Sequence, residues 1–187
     1  MRTMISFLSA AILLFVLATP VEAQQRIYYS EPDREDVRQL RFEIMGKYSS
    51  NYLVYKNSRN RHYVAVYDPE MKLKEKVILD FIPDRVINVE VFGLAESSVI
   101  IYQFQKRSIV YCMGVSIGAD GKPIGEPLQL DTTQIGAFGD NKIYSTIMSD
   151  DKQKLMIFKI KNKQRDDFNI TTLLLNANLI PVRKTSF

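Results

Sequence analysis

Asn51-Tyr52-Leu53-Val54-Tyr55-Lys56, Ser98-Val99-Ile100-Ile101-Tyr102-Gln103 and Lys154-Leu155-Met156-Ile157-Phe158-Lys159 are three versions of one phrase: a polar start, branched and aromatic residues, an aromatic fifth position and a polar end. Branched and aromatic side chains fit a pleated, half-buried surface, so each phrase reads as a β-strand. Laid over one another, the phrases make Tyr55, Tyr102 and Phe158 equivalent. They recur roughly every 45 to 55 residues, the period of a four-stranded propeller blade.

The flanks keep this period. Before each phrase stands another strand-like run: Leu40 to Met45, Ile87 to Phe92 and Lys142 to Met148. After it comes a third, ending in a turn: Tyr63 to Tyr67 into Asp68-Pro69-Glu70, Ile109 to Ile117 into Gly118-Ala119-Asp120-Gly121, and Ile170 to Leu175 into Asn176-Ala177-Asn178. Proline presets its dihedral, and Gly, Asn and Asp tolerate left-handed backbone, so these segments reverse the chain. The fourth strands are Glu75 to Phe81, Pro127 to Leu130 and Ile180 to Phe187. The expected fold is all-β: antiparallel four-stranded repeats over residues 40–187, in sets of about 40–85, 86–136 and 137–187. This makes a partial β-propeller of about three blades, with a β-sandwich as the alternative. Helical periodicity is confined to Asp33 to Gln39, where Val37 and Leu40 are three apart.

The N-terminus has the parts of a secretory signal: Met1-Arg2-Thr3, an apolar run from Ile5 to Ala18, then Val21-Glu22-Ala23. Cleavage is expected after Ala23, leaving a lead-in segment at 24–39 and no membrane span. The chain is therefore read as exported to the periplasm, the outer-membrane surface or the medium. With Cys112 as the one cysteine, no internal disulfide can form, and a small buried hydrophobe is its expected role.

Catalytic chemistry has little to work with. His62 is the only histidine, in Arg59-Asn60-Arg61-His62 at the lip of a strand, and reads as a solvated loop residue. One His and one Cys some fifty positions apart do not make a zinc site. No serine elbow and no phosphate-cradling glycine loop occurs. The pairs Asp150-Asp151 and Asp166-Asp167 read as turn formers, because adjacent residues point apart. No catalytic residue, cofactor or metal is expected. A net charge of +4 is mild, and no RNA-binding signature is present, which argues against nucleic acid.

One charge pattern is periodic. The segments between second and third strands are basic in all three sets: Lys56, Arg59 and Arg61; Lys106 and Arg107; Lys159, Lys161, Lys163 and Arg165. Equivalent loops emerge at the same end of a blade array, so these residues form a candidate anion-binding face. Asp68, Glu70, Glu96, Asp120, Asp150 and Asp151 belong to the opposite, more acidic end.

The run Ser149-Asp150-Asp151-Lys152-Gln153-Lys154-Leu155-Met156-Ile157-Phe158, followed by a basic loop, a strand and Leu174-Leu175-Asn176-Ala177-Asn178-Leu179, resembles the blade pattern of exported bacterial propeller-like repeat proteins. There, serine and aspartate make the turn before an apolar strand, and an Asp/Asn-x-Asn/Asp-Leu hairpin leads to the last one. The resemblance covers about residues 40–187 and implies a fold and a binding role, with no catalytic residues to carry over. The chain departs from it in number, since closed propellers hold about four to eight blades. Three explanations stay open: a shortened member, which the end at Thr185-Ser186-Phe187 favours, copies that associate to complete a ring, or a smaller sandwich. The expected function is a non-enzymatic binding or scaffold module of the cell envelope, whose partner is a protein or an anionic glycan. The alternative is a fragment of a larger secreted or periplasmic enzyme acting on glycans.

Overall fold

The computed structural model describes residues 26–32, 40–136, 141–164 and 167–187, with backbone alone for 161–164 and 167. The signal at 1–23 and the helical turn expected at Asp33 to Gln39 lie outside the described residues.

Among the described residues, twelve strands form three antiparallel four-stranded sheets, each built from consecutive strands in chain order. The first sheet holds β1 (Leu40–Tyr48), β2 (Asn51–Ser58), β3 (Arg61–Tyr67) and β4 (Leu73–Ile78). The middle sheet holds β5 (Val86–Gly93), β6 (Ser98–Lys106), β7 (Ile109–Ile117) and β8 (Pro123–Gln134). The last holds β9 (Tyr144–Met148), β10 (Lys154–Gln164), β11 (Asp167–Asn176) and β12 (Pro181–Ser186). The fold is all-β, built of antiparallel four-stranded sheets as expected.

The sheets stack as three layers, because successive strand residues point to opposite faces and the middle sheet is apolar on both. From β6 and β7, Ile100, Tyr102, Val115 and Ile117 pack on Leu53, Tyr55, Val64 and Val66 of the first sheet. From the same strands, Val99, Ile101, Val110 and Cys112 pack on Leu155, Ile157, Leu173 and Leu175 of the last. Burial thus alternates along β6 between two neighbours rather than between core and water.

Polar ties fix the layers in register. Tyr48 Oη donates to Leu94 O at 3.2 Å and accepts from Ser98 Oγ at 2.9 Å, joining the first sheet to the middle one. Gln103, 1% exposed, donates to Tyr144 O at 2.8 Å and accepts from Tyr144 N at 3.0 Å, so an amide side chain extends backbone pairing to β9. Burying that amide is tolerable only because its carbonyl and its amino group both find partners.

The β3–β4, β7–β8 and β11–β12 turns share one geometry. Met71, Gly121 and Leu179 have φ of 61°, 80° and 59°, and their amides donate to Asp68, Gly118 and Asn176 carbonyls. Each tip leans over the face of its own sheet that looks back along the chain. Gly121 lies against Val64 and Val66 of the first sheet, and Leu179 against Gly114 and Ile101 of the middle one. The three sheets are therefore equivalent units stacked in one direction, each with a forward and a backward face.

This equivalence corrects one expectation. Aligning the turns matches Tyr67, Ile117 and Leu175, whose β2, β6 and β10 partners are Tyr52, Ser98 and Leu155. Tyr55 then corresponds to Ile101 and Phe158, not to Tyr102. A one-residue slip reverses the face of every side chain, so Tyr55 and Tyr102 meet in one interface from opposite sides.

Among the described residues, the layers approach most closely along the inner strands β1 and β5. A Cβ at Gly93 would lie 2.2 Å from the Met45 carbonyl oxygen, so a side chain there would force β5 away from β1. The sheets are open, and β1 and β5 are drawn together, an arrangement consistent with a partial propeller or a sandwich.

Candidate functional site

Tyr48 to Leu94 and Asn51 to Ala119 are contacts between turns at one end of the stack, so the β2–β3 and β6–β7 turns share the other. At that end Arg59 and Asn60 form a two-residue hairpin turn, with φ of 50° and 64°. Left-handed backbone at both central positions marks the type I′ geometry that suits a hairpin's twist. Arg59, Arg61, Lys106 and Arg107 are all exposed there. Four of the expected basic residues are thus brought to one end on two adjacent sheets.

Four others, Lys56, Lys159, Lys161 and Lys163, fall within strands rather than in such loops. Lys56 lies inside β2, 8% exposed, with Nζ donating to Tyr67 Oη at 2.8 Å and standing 5.4 Å from that ring's centre. Lys159 lies inside β10, where Nζ meets Asp131 of β8 at 2.5 Å, at 13% side-chain exposure for both. Both were read as loop charges; strand alternation instead turns their stems across a sheet face, and their ammonium groups are engaged within the fold. Lys161 and Lys163 fall in β10, but their side chains, like all of Arg165, lie outside the described residues.

The Lys159 cluster clamps the middle and last sheets. Asp131 also meets Lys184 of β12 at 3.0 Å, and Lys159 donates to Thr133 Oγ1 at 3.0 Å. Burial acts to raise the Asp131 pKa, but hydrogen bonds from Lys159 and Lys184 outweigh it and hold the carboxyl below its usual range.

His62 corrects another expectation. It lies on β3 at 3% exposure, not in a solvated loop, with Nδ1 2.6 Å from Tyr55 Oη and Asn57 Nδ2 3.1 Å away. Burial lowers its pKa, against a smaller upward pull from Asp84. Burial likewise raises the Cys112 thiol to about 12, which leaves it a packed, unreactive hydrophobe, as expected. Among the described residues, no three His, Cys, Asp or Glu side chains are grouped to hold a metal.

The feature that sequence reading missed is a crevice of about 570 Å³ between β1 and β5, opening at the basic end. Arg41, Glu43, Tyr55, Asn57, Arg59 and Asn60 line it from the first sheet, facing Asn88 and Val89. Arg41 and Glu43 are alternate residues of β1, paired with Asn57 and Tyr55, so the ladder aims all four at the middle sheet. Burial, and then the nearby Glu90, raise the Glu43 pKa. An Arg-Phe-Glu alternation in a strand was the available signal, but it became informative only once β1 was known to lie against β5.

At the opposite end, the acidic residues build turns. Asp68 Oδ1 accepts from the Glu70 and Lys72 amides at 2.9 Å each, Asp120 Oδ1 from Lys122 N at 3.0 Å, and Asp151 Oδ1 from Gln153 N at 3.0 Å. No helix among the described residues is long and apolar enough to cross a membrane. No family model, no curated protein and no solved structure matches the chain.

Proposed function

We propose that the chain is an exported, non-enzymatic binding module that holds an anionic partner at the basic end of its sheet stack. An acidic glycan is the partner the chemistry suits best. One observation carries the reading: the β1–β5 crevice puts two guanidinium groups, Arg41 and Arg59, beside the amides of Asn57, Asn60 and Asn88. Arginine presents a planar fork of donors to carboxylate or sulfate oxygens, and amides can both give and accept hydrogen bonds with sugar hydroxyls. Arg61, Lys106 and Arg107 are exposed at the same end of the stack and extend an attractive field. Export rests on the leader at residues 1–23, and the module reading on the resemblance to propeller-like repeat proteins.

The test is retention on immobilised heparin at low salt. Arg41→Gln with Arg59→Gln should elute at clearly lower salt than wild type. Lys72→Gln with Lys74→Gln removes the same charge at the opposite end and should have a smaller effect. Equal shifts for the two pairs would mean that net charge alone governs retention, and the crevice reading would fall.

A further inference from the structure

The β1–β5 crevice holds an acid as well as its arginines. Glu43 lines it from the same face of β1 as Arg41, and both residues are exposed. The ion pairs among the described residues lie elsewhere, at Glu70, Glu75 and Asp131, so none joins Arg41 to Glu43. A site that only collected negative charge would be weakened by a carboxylate, because like charge beside an anionic ligand repels it. The amides of the crevice lean the same way as Glu43. Asn57 turns Nδ2 to His62, 3.1 Å from Nδ1 and 3.3 Å from Nε2. On the facing sheet, Asn88 donates Nδ2 to Glu90 Oε1 at 2.9 Å. Each amide directs its amino group into the fold and keeps its carbonyl oxygen, an acceptor, for the crevice.

The crevice therefore offers guanidinium donors from Arg41 and Arg59 and three acceptors from Glu43, Asn57 and Asn88. Its complement is a ligand that brings an anionic group and, beside it, hydroxyls that donate. Val86 and Val89 add an apolar wall on which the C–H face of a sugar ring can lie. We propose that the crevice recognises uronic acid residues of a glycan. The carboxylate is held by Arg41 and Arg59, the ring hydroxyls donate to Glu43, Asn57 and Asn88, and Glu43 selects against densely sulfated chains. The inference rests on the anion-binding reading above and adds to it which kind of acidic glycan is taken. A uronic acid has one planar carboxylate, which fits the guanidinium fork, and hydroxyls on neighbouring ring carbons. A glycan sulfated at every hydroxyl has no donor to give Glu43 and sets several negative charges against it. Glu43 is thus a specificity-determining residue that works partly by repelling the wrong ligand.

The experiment is isothermal titration calorimetry at low salt on the full chain as processed by the expressing cell, with trigalacturonate and sucrose octasulfate as the two ligands. Far-ultraviolet circular dichroism checks that each variant keeps its strand spectrum. Glu43→Ala should weaken trigalacturonate and strengthen sucrose octasulfate, each by roughly fivefold, the scale of one exposed charge contact. Removal of a merely repulsive charge would strengthen both ligands, and that result, or no change in either, overturns the proposal while leaving the anion-binding reading in place. A wild type that takes sucrose octasulfate and not trigalacturonate does the same. Arg41→Gln with Arg59→Gln should weaken both ligands. If neither ligand binds wild type, or if this arginine pair has no effect, the anion-binding reading falls and the proposal with it. Should Glu43→Ala unfold the chain, Glu43→Gln keeps the side chain's shape without its charge. The ratio of trigalacturonate to octasulfate affinity should then fall, and an unchanged ratio overturns the proposal.

Discussion

Gly93→Ala tests the contact that brings the first two sheets together. Its new methyl would stand 2.2 Å from the Met45 carbonyl oxygen, against 3.4–4 Å for ordinary contact, and the obstacle is backbone, which cannot swing aside. Strands β1 and β5 must part by roughly 1 Å, and such overpacking costs about 1–3 kcal/mol. At a urea dependence of about 2 kcal/mol per molar, the unfolding midpoint should fall by about 0.5–1.5 M. Gly114→Ala meets Leu130 Cδ1 at 2.7 Å and Ile101 and Leu179 methyls at 3.1 Å, flexible side-chain ends that can yield, so its loss should be smaller. Gly136→Ala has nothing within 4 Å and should change stability by no more than about 0.5 kcal/mol. Urea titrations followed by circular dichroism give all three values. A Gly93→Ala midpoint equal to that of Gly136→Ala would refute the close approach of β1 and β5.

Two predictions concern titrating groups, and the remaining ones accompany the proposals above. Asp131 has a folded pKa below its ordinary 3.8, so the stability it contributes is present above that value and is lost as pH falls through the folded pKa. Asp131→Asn should lose about 1–3 kcal/mol at neutral pH by leaving Lys159 without its carboxylate, and should flatten the acid limb of the stability profile; an unchanged midpoint at pH 7 would remove the clamp from the account. His62 has a folded pKa below its ordinary 6.5, so stability is full above that value and declines as pH drops from it toward the folded pKa. His62→Gln should abolish that decline below pH 6.5, and a persisting slope would assign it elsewhere.

Much of the fold was legible because strand composition and turn chemistry agree with each other. Asp68-Pro69, Gly118 to Gly121 and Asn176 to Asn178 reverse the chain for local reasons, and they stand where the sheets require reversals. The register of the middle set was not legible. In β6, Ser98 through Gln103 are all buried, because this strand is covered on both sides, so no polar alternation marks which residues face which neighbour. Tyr102 therefore looked equivalent to Tyr55 while lying one position away from it.

The basic pattern was half legible for a related reason. Arg59 and Arg107 sit in tight turns, where a hairpin puts them in water whatever the tertiary structure. Lys56 and Lys159 follow apolar runs just as closely in sequence, but they are still within strands, and their long stems let an ammonium reach Tyr67 or Asp131 across a sheet face. The crevice depends on β1 meeting β5, a contact between residues some fifty positions apart that no local signal encodes.

The most direct test of the central claim, three stacked sheets with the middle one covered on both faces, is a nuclear Overhauser spectrum of the labelled protein. It should show Tyr102 close to Phe81, whose ring centres are 6.1 Å apart, and at the same time Ile101 close to Leu179, across the other side of the same strand. Cross-peaks from one of these two residues alone, with the other in water, would reduce the stack to a two-layer sandwich and contradict the account.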